Sequence, residues 1–191
     1  MRLNAKVLMG GRFHVECTGI RDKDGKLFRD ERGRFTGRRV KWVEEFDNVV
    51  VDEGLDHILN TEWRNQSQIS TWYVVLFDSD TTPDGSETYA TPVFTEVTTE
   101  VDEATRDTYD PAAPSSQTIT NSASKGSYTF NTGATIYGAA ILGGGGAAST
   151  KGDTAGGGTL SCAGRFASSR GVVDDDVINI TYSIGADDDG V

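Results

Sequence analysis

Apolar and polar side chains alternate for three cycles in Arg12-Phe13-His14-Val15-Glu16-Cys17, the period of a half-buried strand with Phe13, Val15 and Cys17 facing a core. Large apolar residues return in Val40-Lys41-Trp42-Val43-Glu44-Glu45-Phe46, a second strand. The only helix signal follows. Asp52 is placed to cap a helix running to Asn60 or slightly beyond, Asp56 sits in its first turn, and Leu55, Ile58, Leu59 and Trp63 recur at the spacing of one apolar face, with Gly54 weakening the pattern. Residues 71–77 form the strongest strand and are apolar on both faces, with Trp72, Val74 and Leu76 on one and Tyr73, Val75 and Phe77 on the other. Such a strand belongs at the centre of a sheet, covered on both sides by a second sheet, by the helix or by a neighbouring subunit.

Further along, residues 93–101 alternate, and Pro111-Ala112-Ala113-Pro114 reads as a rigid connector. Four short strands follow, at 127–130, 136–142, 159–166 and 177–184. In the last of them Ile178, Ile180, Tyr182 and Ile184 share a buried face. Turn chemistry separates these elements: Asp22-Lys23-Asp24-Gly25, the polar loop 78–86 with Pro83 and Gly85, and residues 143–158, whose Gly, Ala, Ser and Thr content reads as a flexible loop. Seven or more short strands with one helix predict a mainly β chain: an antiparallel β-sandwich, Ig-like or jelly-roll-like, with one short α-helix and a basic N-terminal arm or loop. At 191 residues one compact body is expected, with residues 1–46 forming a basic strand and arm integrated with an acidic sandwich body over 47–191.

Charge sharpens that division. The formal net charge is −11, yet residues 1–46 hold 12 of the 18 Lys and Arg against 7 of the 29 Asp and Glu, so the head carries +5 and the body −16. An acidic body repels nucleic acid and membrane surfaces and keeps many copies soluble. Residues 26–41 crowd seven basic side chains around two glycines with no clear period, and read as an extended, solvated excursion. No stretch is apolar enough for a membrane span, and the first residues lack the order of a signal peptide, so the chain is expected to be made and kept in a cytosol. Cys17 and Cys162 show no metal or redox spacing and are expected as separate, buried, reduced thiols.

Chemistry-bearing patterns are thin. The glycines at 143–146 followed by Lys151 do not make GxxxxGK[ST], and no helix signal follows them. Asp78, Asp80 and Asp84, like Asp22 and Asp24, suggest a calcium loop. A sixth-position Gly and a twelfth-position Glu are missing, so hydrated acidic turns are expected, with weak divalent binding as the alternative, and a solvated acidic tail is expected at Asp187-Asp188-Asp189. Two histidines, His14 and His57, and no nucleophile elbow leave no recognisable acyl-transfer set. No catalytic residue, metal site or cofactor is assigned, and no enzyme activity is expected.

The segments FHVECTGIRDKDGKL, VKWVEEFDNVVVDEGLDHILN, TWYVVLFDSD, VFTEVTTEVDEATRDTY and TNSASKGSYTFN resemble a family of phage virion structural proteins, over most of residues 13–184. The shared marks are Phe46 to Asn48 closing a strand, Glu53-Gly54-Leu55 opening a helix, Trp72-Tyr73 opening a strand, and Glu103 to Arg106. The chain departs from the pattern in the extra basic stretch 28–39 and in having Phe94 where a Trp is expected. The resemblance implies a virion protein, a capsid decoration or cement protein on the capsid exterior, binding the major capsid protein or other subunits as a homo-oligomer, trimer or dimer. A tail, neck or fibre-attachment component is the alternative within the particle. A carbohydrate-binding β-sandwich module or glycan hydrolase is the alternative outside it, and a nucleic-acid role for the arm alone is a third. Arg29, Arg32, Arg34, Arg38 and Arg39 are the candidate partner-binding residues, ordering on assembly against acidic surfaces. Trp42, Trp72 and Tyr73, with Trp63, are candidate oligomer contacts, with core packing as their ordinary role.

Overall fold

The computed structural model describes residues 7–188. They form an antiparallel β-sandwich with one helix. The elements are β1 (Val7–Gly19), β2 (Arg39–Asp47), β3 (Val49–Val50), α1 (Asp52–Trp63), β4 (Trp72–Phe77), β5 (Asp107–Tyr109), β6 (Thr118–Thr120), β7 (Gly126–Thr129), β8 (Ala134–Gly143), β9 (Thr159–Val172) and β10 (Val177–Asp188). One sheet is ordered β2-β1-β10-β6, with β7 also paired to β10; the other is β3-β9-β8-β4-β5. The two terminal segments are therefore neighbours, and the basic head and the acidic body share a sheet.

The alternation read in β1 and β10 becomes one paired surface. Phe13 lies opposite Tyr182, Val15 opposite Ile180 and Cys17 opposite Ile178, all buried. The facing sheet supplies Val74, Leu76, Ile136, Ile141, Cys162 and Phe166 to the same core. Both cysteines are buried and free, and burial pushes both thiols up to about 12. Between β6 and β7 the β10 edge would lose two ladder bonds. The buried side chain of Asn121 replaces them, donating to Ile180 O at 3.2 Å and accepting from Tyr182 N at 2.7 Å.

The expectation that the β4 strand is covered on both faces holds, with both covers supplied by this chain. Its second face, Val75 and Phe77, joins Ala140, Leu142, Leu160 and Ala163 in a separate core closed by Val51, Tyr89 and Phe94. Residues 93–101 are thus not a regular strand. They form a lid segment whose β-pairing is limited to single bridges, Phe77 to Glu96 and Val101 to Phe130, and which buries Phe94, Val97 and Val101.

Helix α1 lies where the spacing placed it but faces the other way. Its N-cap is Val51 with no side-chain cap, so Asp52 stands in the first turn and does not cap it. The buried helical residue is Gly54: a Cβ there would overlap the carbonyl oxygen and Cα of Ser161 in β9. The glycine that weakens the helix pattern is what lets the helix lie against the sheet. Leu55, Leu59 and Trp63, expected to face inward, are exposed. The acidic tail reading also changes. Asp187 pairs with Leu8 and β10 continues to Asp188, whereas Asp189 lies outside the described residues. No described helix is long and apolar enough to cross a membrane.

Replacing Gly54 by Ala should lift the helix off β9 and cost about 1–3 kcal/mol, the usual range for overpacking. Urea denaturation of the two proteins measures it, and equal stability would contradict the close contact.

Candidate protein-binding surface

The basic stretch after β1 folds into two consecutive tight turns of the same design, and is not one extended arm. In the first, Asp22 Oδ1 accepts from the backbone N–H of Asp24 and of Lys26, both at 2.9 Å, and Gly25 N donates to Asp22 O at 3.0 Å. In the second, Asp30 Oδ1 accepts from Arg32 N and Arg34 N, both at 2.9 Å, and Gly33 N donates to Asp30 O at 2.8 Å. Gly25 and Gly33 both have φ of 76°, the left-handed position a three-residue hairpin loop requires. The preceding arginine closes each loop, Arg21 Nη1 donating to Gly25 O at 3.2 Å and Arg29 Nη1 to Gly33 O at 2.7 Å. Phe28 N bonds Ile20 O, and Thr36 N bonds Phe28 O, so the second hairpin follows the first at a spacing of eight residues.

The repeat is present in the sequence but not in its hydrophobic pattern. Arg21-Asp22-Lys23-Asp24-Gly25-Lys26-Leu27 and Arg29-Asp30-Glu31-Arg32-Gly33-Arg34-Phe35 match at Arg, Asp, Gly, a basic residue and an apolar one. Its period lies in turn residues, and a search for apolar periodicity passes over it.

The five arginines singled out from sequence lie on this double turn or its exit and are all exposed. Their roles differ. Arg38 Nη1 donates to Thr18 O at 3.0 Å and Asp175 O at 2.9 Å, tying the turns to the body. Arg39 lies 5.4 Å over the ring of Phe28. Arg34 pairs with Asp30 and Arg29 closes its own loop. The side chains of Arg32 and Lys26 make no hydrogen bond among the described residues, and both are exposed. Residues 21–41 hold nine basic and four acidic side chains, with Phe35 52% and Val40 56% exposed among them.

Where the array joins the sandwich, the β1–β2 register shifts. Cys17 faces Trp42 and Thr18 faces Val40, which leaves Lys41 as the extra residue of a bulge. The bulge turns Lys41 inward, Nζ 2.5 Å from the buried Asp176, and turns Val40 outward. Trp42 donates Nε1–H to Gly171 O at 3.2 Å and packs edge-on against Phe166. With Phe28, Val172, Asp22 and Lys23 it lines an open cleft of about 540 Å³. Trp72 is covered by His57 of α1, and Tyr73 packs at the margin of the second core, so neither lies with Trp42.

The strongest buried charge cluster holds the fold together. Arg106, 3% exposed, has all five N–H donors placed: Nε and Nη2 on Glu96, Nη1 on Tyr89 Oη and Ala148 O, and Nη2 on Asp153 O. Gly152 N also donates to Glu96 Oε2 at 2.8 Å. Residues 143–158, expected as a flexible loop, are thereby fixed to the lid segment. Asp80 pairs with Arg165, and Asp84 is occupied by Ser86. Among the described residues no group of three or more His, Cys, Asp or Glu side chains could hold a metal ion. No protein-family model matches the chain, and no curated protein matches it.

Two predictions follow from these contacts. The Asp22 carboxyl is held below the usual range by the bond from Lys26 N, and that of Asp30 by the bond from Arg34 N. A lowered folded pKa leaves the turns fully supported above the ordinary Asp value of about 3.9 and releases them only as pH falls through the lowered value. The amide signals of Lys26 and Arg34 in an NMR titration should therefore move below pH ~4, and movement at higher pH would contradict it. Arg106→Leu leaves Glu96 buried without its partner and should cost about 3–5 kcal/mol, measured by urea unfolding.

Proposed function

We propose that the protein is a structural component of a phage virion, a capsid decoration or cement protein that adheres to neighbouring subunits through its basic double turn. The observation that carries the reading is the double turn itself: a surplus of cations held on two preformed hairpins, clamped by Arg38 to a sandwich of opposite charge. Preformed turns lose little entropy when a partner arrives, and forked guanidinium groups suit carboxylates on an acidic shell. The resemblance of the β1, α1 and β4 segments to virion structural proteins points the same way. A tail, neck or fibre-attachment role uses the same surface against other neighbours.

Arg29→Gln, Arg32→Gln, Arg34→Gln and Arg39→Gln together, with Arg38 kept to tie the turns to the body, should lower binding to particles by roughly fourfold or more. Each exposed pair contributes about 0.2–1 kcal/mol. Occupancy on purified particles, compared by quantitative gel across a salt series, is the measurement. Unchanged occupancy would remove the proposal.

One observation favours a second reading. The cleft over Trp42 has an aromatic floor and a charged rim of Asp22 and Lys23, the make-up of a shallow glycan site. Glycan-array binding that Trp42→Ala abolishes would support it, and a blank array would exclude it.

A further inference from the structure

An amphipathic helix ordinarily lays its apolar stripe on the core. Here the inner face of α1 is Gly54, His57, Ile58 and Thr61, and the outer face carries Leu55, Leu59 and Trp63 with Asp52, Asp56 and Glu62. Leu59 is 55% and Trp63 82% exposed. No basic side chain lies in the last turn, and the next cation, Arg64, is turned back onto Asn60 Oδ1 at 3.0 Å. The face is thus apolar, acidic and uncovered among the described residues.

Its counterpart is on the same chain. The double turn presents the exposed side chains of Lys26 and Arg32, which have no hydrogen-bond or ion-pair partner among the described residues, together with the exposed Phe35 and Val40. One surface is cationic with apolar anchors and the other anionic with apolar anchors. Within one molecule they attach at opposite ends of β9. The turns join the body at Gly171 and Asp175, at the far end of β9. Helix α1 starts over Ser161 and passes His57 across Trp72, which pairs with Gly143, itself paired with Thr159 at the near end of β9. Along the partner strand the two ends lie about six residues apart, Cys162 opposite Ile141 and Gly171 opposite Thr135, about 20 Å at the usual rise.

We propose that the basic double turn of one copy docks on the outer face of α1 of a second copy, head to tail. The contact deepens the adhesion reading by naming this chain as a partner, and it rests on the turns being adhesive but not on the virion assignment. Because the two surfaces differ, the contact is heterologous and repeats from copy to copy, closing as a ring or running on as a filament. Arg32 and Lys26 face the carboxylates of Asp56 and Glu62, and the Trp63 indole offers its face to a guanidinium.

The test is a charge exchange read by analytical ultracentrifugation of the full chain at low salt. One variant is Lys26→Glu with Arg32→Glu; the other is Asp56→Lys with Glu62→Lys. All four side chains are exposed, and circular dichroism verifies the fold. Wild type should associate with rising concentration, each variant alone should associate at least tenfold more weakly, and an equimolar mixture should recover association, because both contacts are then complementary. Trp63→Ala with native charges should also weaken it. A wild type that stays monomeric, variants that associate like wild type, or a mixture no better than its components would overturn the proposal. These outcomes are independent of particle occupancy, so loss of adhesion to particles with no recovery in the mixture removes the self-contact alone.

Discussion

Strand β4 has to be kept from water on both faces, and a two-sheet sandwich by itself covers only one. Val74 and Leu76 are met by the opposite sheet, but Val75 and Phe77 need a further layer, which the chain makes from Val51, Tyr89, Phe94 and the start of α1. Much of the remaining architecture answers that need. The long connection after β4 folds back as a lid so that Phe94 stacks on Phe77, ring centroids 4.9 Å apart. A lid without regular strands leaves backbone groups unpaired, and the Arg106 guanidinium with the Glu96 carboxylate supplies partners to the segments on either side. Helix α1 can close the edge of this layer only by coming to backbone distance, and only a glycine at position 54 permits that approach.

The same closeness decides what α1 shows to solvent. A helix resting on a glycine uses its smallest side chain as the contact, so its large apolar residues lie on other faces. Leu55, Leu59 and Trp63 are therefore exposed as a consequence of how the second core is sealed. At the other end of the molecule a comparable local device acts. The bulge at Lys41 directs a lysine into the protein against Asp176, and in doing so swings Val40 and the double turn outward. Core closure and surface presentation are coupled at both ends.

Fold class and strand positions were legible because they depend on a period of two, which Phe13-Val15-Cys17 and Ile178-Ile180-Tyr182 display without interruption. The helix span was legible too, but its orientation was not. Periodicity identifies an apolar stripe and cannot tell which stripe is buried, and Gly54 looks like a weakness until its neighbour on β9 is known. Arg106 was visible only as one mark of a resemblance, since its partners come from residues 89, 96, 148 and 153, which only the fold brings together. The double turn stood between these cases. Its basic character was plain, while its eight-residue repeat lay in Asp and Gly positions that carry turn chemistry instead of hydrophobicity.

Separating stability from adhesion has a physical consequence. The sandwich is held by buried apolar surface and by the desolvated Arg106–Glu96 pair, neither of which salt screens strongly, whereas the adhesion proposed for the double turn would rest on exposed charges whose reach is about 8–10 Å at physiological ionic strength. A single copy with a few exposed ion pairs gains only a small free energy at any contact. Adhesion built from such contacts becomes firm only when copies are held in an array, where each bound neighbour raises the effective concentration of the next. Under the proposed head-to-tail contact, a molecule with its cations clamped at one end and an acidic, Trp-bearing helix at the other would associate weakly when dilute and cohere when many copies are brought onto one surface.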